Sequence, residues 1–147
     1  MPFRFRFETL LSYRSHLKDQ AEIAFAKANR HLRRAKESLA DAQERLGRAH
    51  QALHRDLAVK MVSDELRNHV EYIEDLENRI RTQEMEVTRW KHVVQKRLQE
   101  LLARNKQHQV IEKLRGKDHQ KWLRQQGLAE QQRLDELAVT RHGRSFL

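Results

Sequence analysis

Apolar residues recur through the first part of the chain at steps of three and four. From Leu17 the series runs through Ala21, Ala24, Ala28, Leu32, Ala35, Leu39, Ala42, Leu46, Ala49, Leu53 and Leu57. A mean step of about 3.6 residues keeps every member on one face of an α-helix. Phe7, Leu10 and Leu11 continue the face upstream, so the pattern predicts a first helix over about residues 5–57. A strict 3.5 repeat would impose a left-handed supercoil; a mean nearer 3.6 predicts a partner that wraps only weakly. Leucine alternates with alanine along much of the series, so its contacts are thin and backbones can approach closely.

The period fails at Ala58, Val59, Lys60, Met61 and Val62, and Ser63-Asp64-Glu65 follows. A serine cap with acids in the first turn satisfies orphan N–H groups and complements the helix dipole. A second helix is therefore expected over about 64–140, with a turn over about 58–63 and a tail over 141–147. Its seam is Leu66, Val70, Ile73, Leu76, Ile80, Val87, Trp90, Val94, Leu98 and Leu101, then Ile111 and Leu114. Gln83 stands where an apolar member belongs. Gly116, Gly127 and Gly143 are the later breakers, each worth roughly 1 kcal/mol in a helix. The expected fold is all-α: one long antiparallel two-helix coiled-coil hairpin, helix two longer than helix one. A single continuous helix dimerising through the seam is the alternative, since no Gly or Pro enforces the turn.

Composition narrows the class. Ala, Glu, Lys, Leu and Arg make up about half of the 147 residues, as in long helices and coiled coils. With one proline and four glycines, the turn chemistry of a sheet protein is missing. There is no cysteine, which excludes disulfides, thiolate metal sites and cysteine nucleophiles. No apolar run approaches the ~18–20 residues that span a bilayer, and MPFRFRFETLL has no signal-peptide core, so a cytoplasmic chain is expected.

The net charge of +9 is unevenly spread. Residues 1–36 carry +6, residues 37–63 balance, residues 64–86 carry −5, residues 87–127 carry +8 and the last twenty balance. Folded about a turn near residue 60, positions pair when their numbers sum to roughly 120. Both basic segments then fall beside each other with the termini, and the acidic segment falls with the turn. One reading is an ordinary solvated surface; the sharper one is that the terminal half meets an acidic partner and the turn meets something else.

Catalytic and metal chemistry find little to work with. His50 and His54 stand at i, i+4, but the pattern places no third ligand; His31, His92 and His108 lie in or beside the seam, where a polar residue sets register. The glycines are scattered, so no phosphate-cradling loop forms. The acids cluster on a solvated helix, and two helices offer no water-excluding cavity. A non-enzyme without metal or cofactor is expected. Trp90 fits the seam. Trp122 lies past Gly116, where little of helix one remains to cover it, and is better placed for a partner.

The opening FRFRFETLLSYR alternates Phe and Arg if extended; as a helix it puts Phe3, Phe7 and Leu10 on one face. Interleaved basic and aromatic residues make nucleic-acid binding the natural rival. Against it, the stretch is short and no helix-turn-helix, zinc-finger or RNP pattern appears. A leucine zipper with a basic region is excluded by the acids interspersed among the basic residues.

Phe-Arg-Phe followed by Glu-x-Leu-Leu-x-Tyr-Arg, here Phe3 to Arg14, resembles the start of the FliJ family of flagellar type III export proteins. Glu130, Gln131, Leu134, Asp135, Glu136 and Ala138, closed by Thr140-Arg141, are similar to the family's C-terminal signature, with Gln132 in place of its usual lysine. The middle is generic coiled coil, an architecture shared with the YscO-like stalks of injection-type secretion systems. The resemblance implies a central stalk whose terminal end inserts into the hexameric flagellar export ATPase. Its other end reaches the membrane export gate protein, and some members escort export chaperones. It also implies a place peripheral to the inner face of the cell membrane at the flagellar base. By that analogy Phe3, Phe5, Phe7 and Arg14 face the ATPase ring, and Trp122 joins them. Tyr72 and Leu76 match family positions that face the gate; Arg45, Ala49 and Gln83 lie near them without the family's usual residues. A YscO-like stalk and a basic nucleic-acid-binding coiled coil are the alternatives.

Overall fold

A computed structural model describes residues 2–145. Helix α1 spans Glu8–Ala58 and helix α2 spans Ser63–Ser145, joined by residues 59–62. The two run antiparallel and pack on each other, and α2 is the longer.

Helix α1 starts later than residue 5. The Leu11 N–H donates to the Phe7 carbonyl at 2.9 Å, which makes Phe7 the cap, and a turn before it closes the Glu8 N–H on the Phe5 carbonyl at 3.2 Å. The reason lies in side-chain direction. Residues two apart point about 200° apart on a helix but to the same side of an extended chain, so only extended backbone lets Phe3, Phe5 and Phe7 turn inward together. Phe5 is buried and Phe3 and Phe7 half-buried, whereas Arg4 and Arg6 are exposed. The helical reading of Phe3, Phe7 and Leu10 is thereby replaced.

Helix α2 starts one residue before the expected point. The Leu66 N–H donates to the Val62 carbonyl at 3.1 Å, so Val62 is the cap and Ser63 the first helical residue. What survives of the expected signal is the pair of acids, Asp64 and Glu65, in the first turn. Helix α2 then passes through Gly116, Gly127 and Gly143 without ending, and no described residue has positive φ. The expected tail is helical to Ser145; residues 146–147 lie outside the described residues.

The contacts gather into two units. In the unit of residues 20–102, the α1 face is lined by Ala28, Ala35, Ala42 and Ala49, all buried, at intervals of seven. Leu32, Leu39, Leu46 and Leu53 alternate with them and are half-buried. From Ala28 to Leu53 the steps are strictly four and three, a 3.5 repeat, so this stretch favours left-handed wrapping. The overall mean of 3.6 came from consecutive four-residue steps at either end of the series. Opposite this face, α2 buries Ile73, Leu76 and Val87, and Ala49, Ile73 and Leu76 form a cluster joined by Leu46 and Leu53.

In the unit of residues 1–19 and 103–147, Phe5, His108 and Ile111 are the buried side chains among the described residues. Here α1 supplies little more than three turns. Every described residue of α2 from Leu123 to Gly143 is exposed.

Candidate docking surfaces

In the terminal unit the extended residues 2–7 act as a strap across α2. The Phe3 ring meets the His119 imidazole edge-on with centroids 4.9 Å apart and lies 6.0 Å from the Trp122 indole; His119 in turn stacks on Trp122 at 5.9 Å. Phe5 and Phe7 meet edge-on at 5.8 Å. The Arg115 guanidinium sits 5.7 Å from the Phe3 centroid, and its Nε donates to Glu8 Oε2 at 3.1 Å. Arg14 donates through Nη1 to the Gln107 carbonyl at 2.9 Å, tying α1 to the α2 backbone.

Four of the five residues read as facing the ATPase are thus engaged inside the chain. Phe3 and Trp122 touch each other, Phe5 is buried, and Arg14 is bound to a carbonyl. Phe7 is half-buried under its neighbour Arg6, whose guanidinium lies 4.8 Å from the ring. Trp122 does not lack a cover: the strap provides one where α1 is absent.

The outward surface of the same unit carries a line of basic residues that segment charges alone do not resolve. Lys106, Val110, Lys113, Lys117, Lys121, Arg124 and Leu128 follow one another at steps of three and four, and all are exposed. Such steps place them on one side of α2, away from the inward Ile111 and Trp122, with Leu114 at its edge. Glu112 and Asp118 are the acids in this stretch, and both lie off the line by about 100° or more. From Lys106 to Arg124 the stripe extends about 27 Å at ~1.5 Å per residue. Among the described residues none of its five cations has a carboxylate partner. The signal was legible in the sequence once read by face.

In the unit of residues 20–102, α1 and α2 come together across the link. His69 Nε2 lies 2.8 Å from Asp56 Oδ2, joining the first turns of α2 to the last turn of α1. His31 stacks on Trp90, and the Arg89 guanidinium lies 5.3 Å from the Trp90 centroid. The two residues read as facing the gate divide here. Tyr72 is 50% exposed, whereas Leu76 is 3% exposed and spends its surface on Ala49 and Ile73. An open hollow of about 630 Å³ beside the link is lined by Val59, Tyr72, Asp56, Glu65 and His69, among others. In the sequence Val59 and Val62 mark only a lapse in period.

Among the described residues no group of three or more His, Asp or Glu is arranged to hold a metal ion. Within them no helix is long and apolar enough to cross a membrane.

Comparison with known proteins follows the same line. The family described as "Flagellar FliJ protein" matches residues 3–146. A solved structure described as a YscO homologue, CT670 from Chlamydia trachomatis, has a similar fold with a TM-score of 0.54 and 19% sequence identity, covering 96% of each chain. At that identity the likeness bears on fold alone. No curated protein matches the chain.

Proposed function

The chain belongs to the FliJ family, and from that premise we propose that it is a non-enzymatic stalk and adaptor of the flagellar type III export apparatus. In this reading the unit holding the termini enters the hexameric export ATPase, and the unit holding the turn meets the membrane export gate protein. Export chaperones are further partners. The protein works in the cytoplasm, against the inner face of the membrane.

The observation that carries the reading is the acid-free cationic stripe from Lys106 to Arg124. The terminal unit has a net charge of +7, from fourteen basic and seven acidic residues, against +2 for the other unit, from sixteen and fourteen. Five unpaired cations in a line fit a wall of carboxylates. Because screened charges attract at a distance without fixing register, they speed docking and tolerate several orientations. Among the described residues of the unit, Phe3 and Trp122 meet each other and His119, Phe5 meets Phe7, and Tyr13 stands exposed without a ring partner; one such ring is a poor platform for successive bases, which disfavours nucleic acid.

The test is ATP turnover by the purified export hexamer with and without the chain, alongside co-migration on sizing. Stimulation with co-migration supports the stalk; unchanged turnover without co-migration refutes it.

A further inference from the structure

We propose that the overhanging end of α2 pairs antiparallel with the same end of a second copy of this chain, leucine on leucine at Leu134 and Leu137 and carboxylate on guanidinium at Glu130 and Arg141.

The starting point is a stretch of helix with nothing packed on it. From Leu123 to Gly143 every residue of α2 is exposed, a length of about 30 Å at ~1.5 Å per residue. Helices in proteins owe most of their stability to packing an apolar face, and this stretch carries the repeat of one. Leu123, Gly127, Glu130, Leu134, Leu137 and Arg141 follow one another at steps of four and three, the 3.5 spacing of a coiled-coil seam. Leu134 is 52% exposed and Leu137 50%. With Ala138, Arg141 and His142 they line one open hollow of about 510 Å³, which confirms that they share a side.

Charge chooses the occupant and its direction. Residues 123–143 are neutral, with Arg124, Arg133 and Arg141 against Glu130, Asp135 and Glu136. Two copies therefore meet here without the repulsion that a net charge of +9 brings elsewhere. Let facing positions sum to 271 in an antiparallel pair. Leu134 of each copy then meets Leu137 of the other, and Glu130 of each meets Arg141 of the other. Among the described residues neither Glu130 nor Arg141 has an ion-pair partner within the chain. They stand about 16 Å apart along their own helix, too far to pair with each other.

The remaining charges do not oppose this register. Arg133 falls opposite Ala138 and Arg144 opposite Gly127, while Arg124, Asp135, Glu136 and His142 lie about 100° or more off the line. A parallel pair would instead set Glu130 on Glu130 and Arg141 on Arg141, which like-charge repulsion disfavours. The overlap of residues 127–144 begins beyond Trp122, so the strap and the stripe from Lys106 to Arg124 stay clear of it in both copies. Two single helices overlapping over this length bury less than the ~1,200 Å² at which stable interfaces begin. The pair is accordingly weak and concentration-dependent.

Sedimentation equilibrium of the full chain alone, from low to high micromolar concentration, reads the pair without any export component. Its outcome is thus independent of the stalk reading. The chain should pass from monomer to dimer. Leu134→Ser with Leu137→Ser should raise the dimer dissociation constant about tenfold or more. Leu128→Ser with Val139→Ser, on side chains 65% and 72% exposed but on the opposite side of the helix, should leave it native. All the substituted side chains are exposed, so helix content should be retained. Glu130→Arg alone and Arg141→Glu alone should each weaken the pair, and the double exchange should restore it. Bulk charge predicts the reverse for Arg141→Glu, which lowers the net charge. Mixing the two single variants should give a dimer tighter than either forms with itself, because opposite charges then meet at both ends. A chain that stays monomeric throughout overturns the pair. So does a dimer indifferent to the two leucines, or one that the double exchange does not restore. A monomeric chain whose leucine variants lose the export hexamer assigns the face to the hexamer and overturns the choice of a second copy.

Discussion

The His31 imidazole lies flat on the Trp90 indole, with ring centroids 4.4 Å apart and planes only 10° from parallel. The numbers 31 and 90 sum to 121, and those of Arg14 and Gln107, in the other unit, also sum to 121. Glu8 and Arg115 give 123, and Asp56 and His69 give 125. The antiparallel register follows the one expected for a turn near residue 60, and His31 marks it with an aromatic pair. His31→Ala should cost about 1 kcal/mol, within the range for stacked aromatic pairs, and should alter Trp90 emission. Denaturant unfolding followed by fluorescence checks both.

Tyr72 and Leu76 stand one helical turn apart and should respond oppositely. Leu76→Ala removes a buried side chain from the Ala49–Ile73 cluster and should destabilise by about 2–4 kcal/mol. Tyr72→Ala should change stability by less than about 0.5 kcal/mol. Thermal melts monitored by circular dichroism separate them. Equal losses would contradict the burial described above.

The strap covers Trp122, so its removal should be visible from that residue. In a Trp90→Phe background, deleting residues 2–7 should shift Trp122 emission to longer wavelength and make it more accessible to iodide. Unchanged quenching would mean that Phe3 does not shield the indole. The same truncation should weaken ATPase binding more than gate binding if the terminal unit is the part that enters the ring.

The cationic stripe should act through its position as well as its charge. Lys113→Gln, Lys117→Gln and Lys121→Gln together should weaken binding to the ATPase hexamer and flatten its salt dependence. Removing three exposed cations from the other unit, by Lys27→Gln, Arg33→Gln and Arg34→Gln, should do much less. Affinity measured across a salt series decides; equal effects would reduce the stripe to bulk charge.

Gly116 and Gly127 lie inside α2, and a Cβ at either would meet nothing within 4 Å. Alanine at each should therefore stabilise the helix by about 0.5–1 kcal/mol, by limiting the unfolded chain and favouring helical backbone. A rise in Tm without change in helix content is expected.

The sequence by itself determined the helices, their register and the family. These depend on periodic patterns and short motifs: the Leu/Ala series, the seam from Ile73 to Leu101, and the residues from Phe3 to Arg14; Leu66 and Val70, at the head of the expected seam, are exposed instead. Local propensity and one-sided burial suffice to write such features into one strand of text. Where the first residues go was decided only by tertiary structure. Phe3 gains more by lying extended across His119 and Trp122 than by joining a helix, and no local pattern encodes that distant surface. Periodicity already sets Leu76 in the seam and Tyr72 outside it, and α1 covers them accordingly: Leu76 is buried against Ala49 and Ile73, and Tyr72 is half exposed. Tertiary structure also left Val59 and Val62 uncovered at the turn, where a break in period says that a helix ends but not that its apolar residues stay in solvent.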